Sequence, residues 1–122
     1  MKNEICYCDL VLPNQLNHHN SMFGGNVCAI IDKAAANVVR RRTNQKFVTI
    51  EMDKIQFHEP ILAGDIVTVY GAITKRGTKS VTVFVEAYSE REGNRIKVTS
   101  STVIFVAIDD NKKSTPFTLR EG

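Results

Sequence analysis

The sequence has no tryptophan and only three prolines and three cysteines among its 122 residues. The cysteines, Cys6, Cys8 and Cys28, are odd in number, and the first two are separated by a single residue. That pattern suits neither a disulfide framework nor a two-residue-spaced metal knuckle, so the three read as reduced thiols. Long apolar runs are missing as well. Met-Lys-Asn-Glu leads into a short apolar segment broken by Asp9 and Pro13, and no run approaches the ~18 residues of a membrane span. A soluble, cytoplasmic protein is expected. Neither sign of charge dominates: 16 Lys and Arg against 13 Asp and Glu leave a formal net charge of +3. So small a balance does not indicate nucleic acid, although it favours an anionic small ligand. There is no internal repeat or low-complexity tract. One domain is left, residues 1–109, long enough to bury roughly two thirds of its unfolded surface. The polar segment 110–122, which contains Pro116, is expected to be a mobile tail.

What is present is concentrated between Asn17 and Asp32. Val27, Ile30, Ile31, Ala34, Ala35 and Val38 recur at steps of three and four, which predicts a helix from Gly25 to about Arg42, ended by Thr43-Asn44-Gln45. A second apolar line, Cys28, Ala36 and Val39, is interrupted by Asp32. Aspartate is a mediocre helix former and costly to bury unpaired, so neither propensity nor packing accounts for it there. A functional carboxylate is one reading. Pairing with Arg40, Arg41 or another element, or exposure to water, is the other.

Strands surround this helix. Cys6 to Leu12 reads as the first, stopped by Pro13, and Asn14 to Phe23 as a polar loop. Phe47 to Phe57, Ile66 to Thr74, Ser80 to Tyr88 and Ile96 to Ile108 follow. The apolar phase of the second changes from Val48, Ile50 and Met52 to Ile55 and Phe57, which predicts a bulge near Asp53 and Lys54. Lys75 to Lys79 and Glu90 to Arg95 each place glycine between alternating segments, the sign of antiparallel hairpins. A helix apolar almost all round is not satisfied by a flat sheet that covers one stripe. The sheet must wrap it or another chain must cover it, and with apolar groups on both faces of the fourth strand, oligomerisation is expected.

The order strand, loop, Phe23-Gly24-Gly25, helix with Asp32, then Phe57-His58-Glu59-Pro60-Ile61-Leu62-Ala63-Gly64-Asp65 resembles the hotdog-fold acyl-CoA thioesterases. Within them it is most similar to the bacterial broad-specificity and cytosolic (brain-type) acyl-CoA hydrolases. The resemblance runs from about Leu10 to Asp109. It implies an α+β hotdog fold, an antiparallel sheet of about five strands wrapped around one long helix, with two subunits joined edge to edge and a hexamer built as a trimer of dimers. It also implies the chemistry: Asp32 as the catalytic carboxylate, Asn17 completing the site from the other subunit, and Gly24 and Gly25 forming the turn whose amide faces the thioester carbonyl. This chain departs from the family at Ser21, at His18-His19-Asn20 and at Asn26, so loop geometry and acyl preference do not carry over.

Each implied role has a physical basis. Thioester hydrolysis needs a nucleophile, stabilisation of the charge on the carbonyl oxygen, and departure of a thiolate. A helix N-terminus offers free N–H groups, and glycine admits close approach. Asp32 acts either as general base on water or as the attacking group. Coenzyme A enters as part of substrate and product, with no other cofactor and no metal. Lys75, Arg76 and Lys79, with Gly77 and Ser80 in the same hairpin, are candidates for its phosphates, a solvated basic turn being the alternative. His18, His19 and His58 do not suggest a metal site, because adjacent histidines are expected to point apart. A triad of Ser21, a histidine and Asp32 lacks the strand-to-helix elbow that presents a serine. Two other functions compete: a hydratase or dehydratase using His58 and Glu59, and a non-catalytic acyl-CoA sensor.

Overall fold

The computed structural model describes residues 3–120, so the outer bounds expected at residues 1 and 122 lie outside the described residues. Strands β1 (Glu4–Leu10), β2 (Lys46–Phe57), β3 (Ile66–Arg76), β4 (Ser80–Arg91) and β5 (Asn94–Ile108) accompany one α-helix, α1 (Gly24–Arg40). The strands form a single antiparallel sheet in the order β1-β3-β4-β5-β2. A 3-10 turn at Pro13–Gln15 interrupts the expected loop before the helix.

The helical period is realised as residues Val27, Ile30, Ile31, Ala34, Ala35, Val38 and Val39, all buried. They pack on the inward face of the sheet, where Val69, Val81, Val83, Val85 and Val103 are fully buried. Each such side chain stabilises the fold by roughly 1.5–3 kcal/mol before entropy is counted. The helix packs directly against Gly71 of β3. A Cβ built there would lie 2.9 Å from Val38 Cγ2, 3.1 Å from Cys6 Sγ and 3.2 Å from Val85 Cγ1. Only a residue without a side chain lets helix and sheet meet at this point. Cys6 is sealed in the same contact, and burial pushes its thiol up to about 11.

Several boundaries differ from the sequence expectation. The first strand runs two residues earlier at both ends, because Glu4 is already paired with Gly71. The helix begins at Gly24 and stops at Arg40 rather than Arg42: the Arg42 amide donates to Val39 O at 2.9 Å, tightening the last turn. Arg41 and Arg42 then turn to Glu4. Burial opposes ionisation of Glu4, yet the two guanidinium groups hold its carboxyl below the usual range. The strands β3, β4 and β5 run longer than expected, and β4 and β5 close in a two-residue turn. Arg91 pairs with Asn94, and Glu92 and Gly93 have φ of 52° and 78°, the left-handed pair whose twist matches the flanking strands. The bulge in β2 falls where expected, with a register shift between Asp53 and Gln56 and Lys54 at φ 52°.

The segment after Asp109, for which the composition suggests mobility, is seated on the domain. Leu119 is buried, the Phe117 ring meets Phe47 edge-on with centroids 5.4 Å apart, and the Arg120 amide donates to Arg42 O at 2.7 Å. Gln45 fastens it from both sides, donating to Pro116 O and accepting from the Thr118 amide. Two apolar residues in alternation are enough to anchor it, a signal hidden by the polar residues between them. The sheet ends in β1 on one side and β2 on the other. The β2 edge leaves Val48, Ile50 and Phe57 exposed.

Candidate functional site

Asp32 lies in the middle of α1, half-buried, on the side facing β2. Its Oδ1 accepts a 2.7 Å hydrogen bond from Thr49 Oγ1, so the carboxylate is held by a neutral hydroxyl. Neither arginine considered as a partner reaches it: Arg41 binds Glu4 and Ile5 O, and the Arg40 guanidinium makes a 3.5 Å contact with Thr43 O. Among the described residues no ion pair includes Asp32. A carboxylate oriented by one hydroxyl and left with its charge unmatched can accept a proton or attack an electrophile. Thr49 escaped the sequence reading, since a threonine in a strand gives no signal that its hydroxyl turns toward a helix.

The N-terminus of α1 is two turns away. Val27 donates to Phe23 O at 3.0 Å, so the amides of Gly24, Gly25 and Asn26 precede the first helical hydrogen bond. Both glycines are exposed, and no atom lies within 4 Å of a Cβ built on Gly25. Beside them is a cleft of about 290 Å3 whose lining includes Met22, Gly24, Val27, Phe57, Pro60 and Val98. The preceding loop is tied to this end of the helix, with Asn26 Nδ2 donating to Gln15 O and the Met22 amide to Ile61 O. Asn17 organises that loop. Its Oδ1 accepts from the His19 amide at 2.8 Å and the Ser21 amide at 3.3 Å, while its own amide donates to Ser21 O.

Within one protomer these residues are not brought together. Gly25 and Asp32 share a helical face but are seven residues apart, which is ~10 Å along the axis. Lys75, Arg76, Gly77 and Lys79 are exposed at the β3–β4 hairpin, with Ser80 half-buried at the start of β4. This hairpin lies at the opposite end of the sheet from Gly24. The Ala107 amide donates to Lys79 O and Ala107 pairs with Phe47, whereas Gly24 neighbours Phe57 at the other end of β2.

The Pro60 to Asp65 motif has a structural role. Gly64, at φ 87°, makes a tight turn, and Asp65, buried at its end, accepts from the Leu62 amide and takes both Nε and Nη2 of Arg91. Burial opposes the charge on Asp65, and the Arg91 and Leu62 bonds outweigh it, holding the carboxyl below its ordinary value. Arg91 also donates to Pro60 O at 2.9 Å, so it closes the turn that forms part of the cleft. Sequence reading missed this partner because 26 residues and a hairpin separate it from Asp65.

His58 Nε2 lies 3.4 Å from Ser100 Oγ. The rings of His18 and His19, expected to point apart, instead lie against each other with centroids 3.8 Å apart. No group of three or more metal-ligating side chains occurs among the described residues. Among those residues no helix is long and apolar enough to cross a membrane.

Residues 19–96 match the family described as the thioesterase superfamily. The uncharacterized acyl-CoA thioester hydrolase YkhA of Bacillus subtilis is 36% identical over 87% of this chain, which spans 63% of that protein's length. The crystal structure of Cj0915, a hexameric hotdog fold thioesterase of Campylobacter jejuni, superposes with a TM-score of 0.86 at 32% identity, covering 94% of this chain and 90% of that one. An acyl-CoA hydrolase from Staphylococcus aureus in complex with butyryl coenzyme A and coenzyme A superposes with a TM-score of 0.84 at 29% identity, covering 97% of this chain and 71% of that one. Structures of that hydrolase also exist with one aspartate or one asparagine replaced by alanine. Those two positions lie as far apart in sequence as Asn17 and Asp32 do here. The sheet folded on a single long helix is the hotdog fold of these proteins.

Proposed function

The chain belongs to the thioesterase superfamily, and we propose that it hydrolyses acyl-CoA thioesters to a carboxylic acid and free coenzyme A, with each site shared between two subunits. The observation that carries this reading is the separation of Gly25 from Asp32. A reacting carbonyl needs a donor at its oxygen and a nucleophile at its carbon within about 3 Å, and one protomer offers them ~10 Å apart on one face. A second copy, paired antiparallel along the exposed edge of β2, runs its helix the other way. Its Gly25 amide and Asn17 loop then meet this Asp32. The same reversal brings its Lys75–Lys79 hairpin toward the end where this Gly25 lies, within reach of coenzyme A phosphates.

The chemistry follows from these groups. The Gly25 amide and the positive end of the helix dipole stabilise the oxyanion as it forms. Asp32 either takes a proton from water as the water oxygen adds to the carbonyl carbon, or adds to that carbon itself to give an anhydride that water then opens. In both routes the C–S bond breaks, the electron pair leaves on sulfur, and the thiolate takes up a proton. Asn17 orients the water or the carboxylate. No cofactor or metal is required, and we assign the enzyme to the cytoplasm, where three free thiols are at home. The hexamers among its relatives support a trimer of such dimers. The hydratase and sensor alternatives leave Asp32 without a role, and the relatives matched above bear hydrolase names.

The test is thiol release from acyl-CoAs by wild-type protein beside Asp32→Asn. Release that is lost in the variant supports the reading, and undiminished release removes Asp32 from the mechanism. Single turnover in 18O water tests the second route, since 18O in the Asp32 carboxylate arises only from an anhydride opened at the aspartyl carbonyl.

A further inference from the structure

A slot of about 200 Å3 opens along α1 one turn beyond Asp32, on the side away from Gly25. One wall is α1: Ala36 and Val39 follow Asp32 by one and two turns on the same face, and Asn37 also lines the slot, its Nδ2 committed to Cys6 O. The other is the sheet, where Phe47 stands two residues before Thr49 and therefore on the same strand face, with Phe105 behind it. The helix and the strand joined by the Asp32–Thr49 hydrogen bond thus also supply walls of the slot. The walls are firm. Phe105 is buried, and Phe47 is braced edge-on by Phe117 of the docked tail.

The far end of the slot has a different character. Arg40 and Gln45 stand there, both exposed, and Gln45 is committed at both ends of its amide to the tail backbone. An alkyl chain entering from the Asp32 side therefore meets Ala36, Val39, Phe47 and Phe105 first and a guanidinium and water afterwards.

We propose that this slot receives the acyl chain, and that its polar far end restricts efficient substrates to short and medium acyl groups. At about 30 Å3 per water-sized unit, the volume holds six or seven heavy atoms, which sets the limit near eight carbons with the carbonyl included. The inference rests on the thioesterase reading and adds to it the substrate class and the residues that select it. The cleft at the helix N-terminus is the competing location, and its residues supply the control.

The experiment is kcat/KM for straight-chain acyl-CoAs from two to sixteen carbons, on the full chain and on Ala36→Leu, Arg40→Leu and Val27→Phe. Each methylene within the slot should raise kcat/KM about fourfold, the equivalent of its burial, with a plateau or fall beyond about eight carbons. Ala36→Leu fills the slot and should lower the octanoyl-to-acetyl ratio at least tenfold. Arg40→Leu extends the apolar wall and should move the optimum to longer chains. A steady rise to sixteen carbons in the wild type overturns the proposal, as does a length preference that moves with Val27→Phe and ignores Ala36→Leu. Titration with non-hydrolysable S-alkyl-CoA thioethers, followed by calorimetry, reads the slot without turnover. If no acyl-CoA is hydrolysed but thioether affinity still climbs and levels off at the same length, the hydrolase reading fails and the slot stands. Affinity independent of chain length overturns the slot.

Discussion

Replacing Gly71 with alanine tests how the helix is seated on the sheet. The added methyl would sit 2.9 Å from Val38 Cγ2, 3.1 Å from Cys6 Sγ and 3.2 Å from Val85 Cγ1, against an optimum of about 3.5–4.0 Å. Those three neighbours are all buried, on three different elements, so none can turn into solvent to make room. Overpacking of this kind costs about 1–3 kcal/mol. Relief of the chain entropy of a glycine in a strand returns roughly 0.5–1 kcal/mol. The net loss centres on about 1 kcal/mol, and for a domain of this size it should lower Tm by roughly 3–6 °C. Scanning calorimetry at one fixed protomer concentration measures it, because oligomerisation makes Tm concentration-dependent. A double-mutant cycle locates the cause. Val38→Ala removes the nearest offending methyl, so the Gly71→Ala penalty should shrink by at least 0.5 kcal/mol in the Val38→Ala background, a coupling expected for residues in contact. An unchanged or raised Tm in Gly71→Ala, or strict additivity of the pair, would refute the argument.

Other outcomes follow from the site and its supports. Arg91→Met should cost about 3–5 kcal/mol, because it strands the buried Asp65 carboxylate; denaturant unfolding at pH 7 measures this, and a loss under 1 kcal/mol would contradict it. The held-down carboxyl of Asp65 gives stability that is present above the unfolded value near 3.8 and is lost as pH falls through the lower folded value. That acid-dependent component should vanish in Asp65→Asn. Thr49→Val keeps the shape but withdraws the hydrogen bond from Asp32, and should lower kcat about tenfold with little change in KM or Tm; equal kcat would make the contact incidental. Inactive Asn17→Ala and Asp32→Asn proteins, mixed under conditions of proven subunit exchange, should recover activity, and no recovery would place both residues in a site of one subunit.

Much of this was legible in the chain because the deciding signals are local. Steps of three and four from Val27 to Val38 name the buried helical face, and the phase change between Met52 and Ile55 marks the bulge that Lys54 makes. Asp32 stood out because it breaks an apolar line. What escaped notice depends on residues distant in sequence. Thr49 meets Asp32 only once β2 lies beside α1, and Arg91 meets Asp65 only after the β4 hairpin returns. The seating of the tail was hidden for a related reason: Phe117 and Leu119 are too few to register as a pattern, yet they find a surface prepared by Phe47 and Arg42. The ends of strands were underestimated at Glu92-Gly93, since two left-handed residues can close a turn that composition spreads over six.

The two helical turns between Gly25 and Asp32 have a consequence for molecularity. If donor and carboxylate must come from different polypeptides, a lone chain holds two half-sites and no catalyst. The rate per chain then falls with dilution once the protein passes below its dissociation constant, so turnover becomes a direct gauge of assembly. Inheritance of defects follows the same rule. One subunit carrying both Asn17→Ala and Asp32→Asn silences both sites of a dimer with a normal partner, whereas the same two changes carried on opposite subunits leave one site whole.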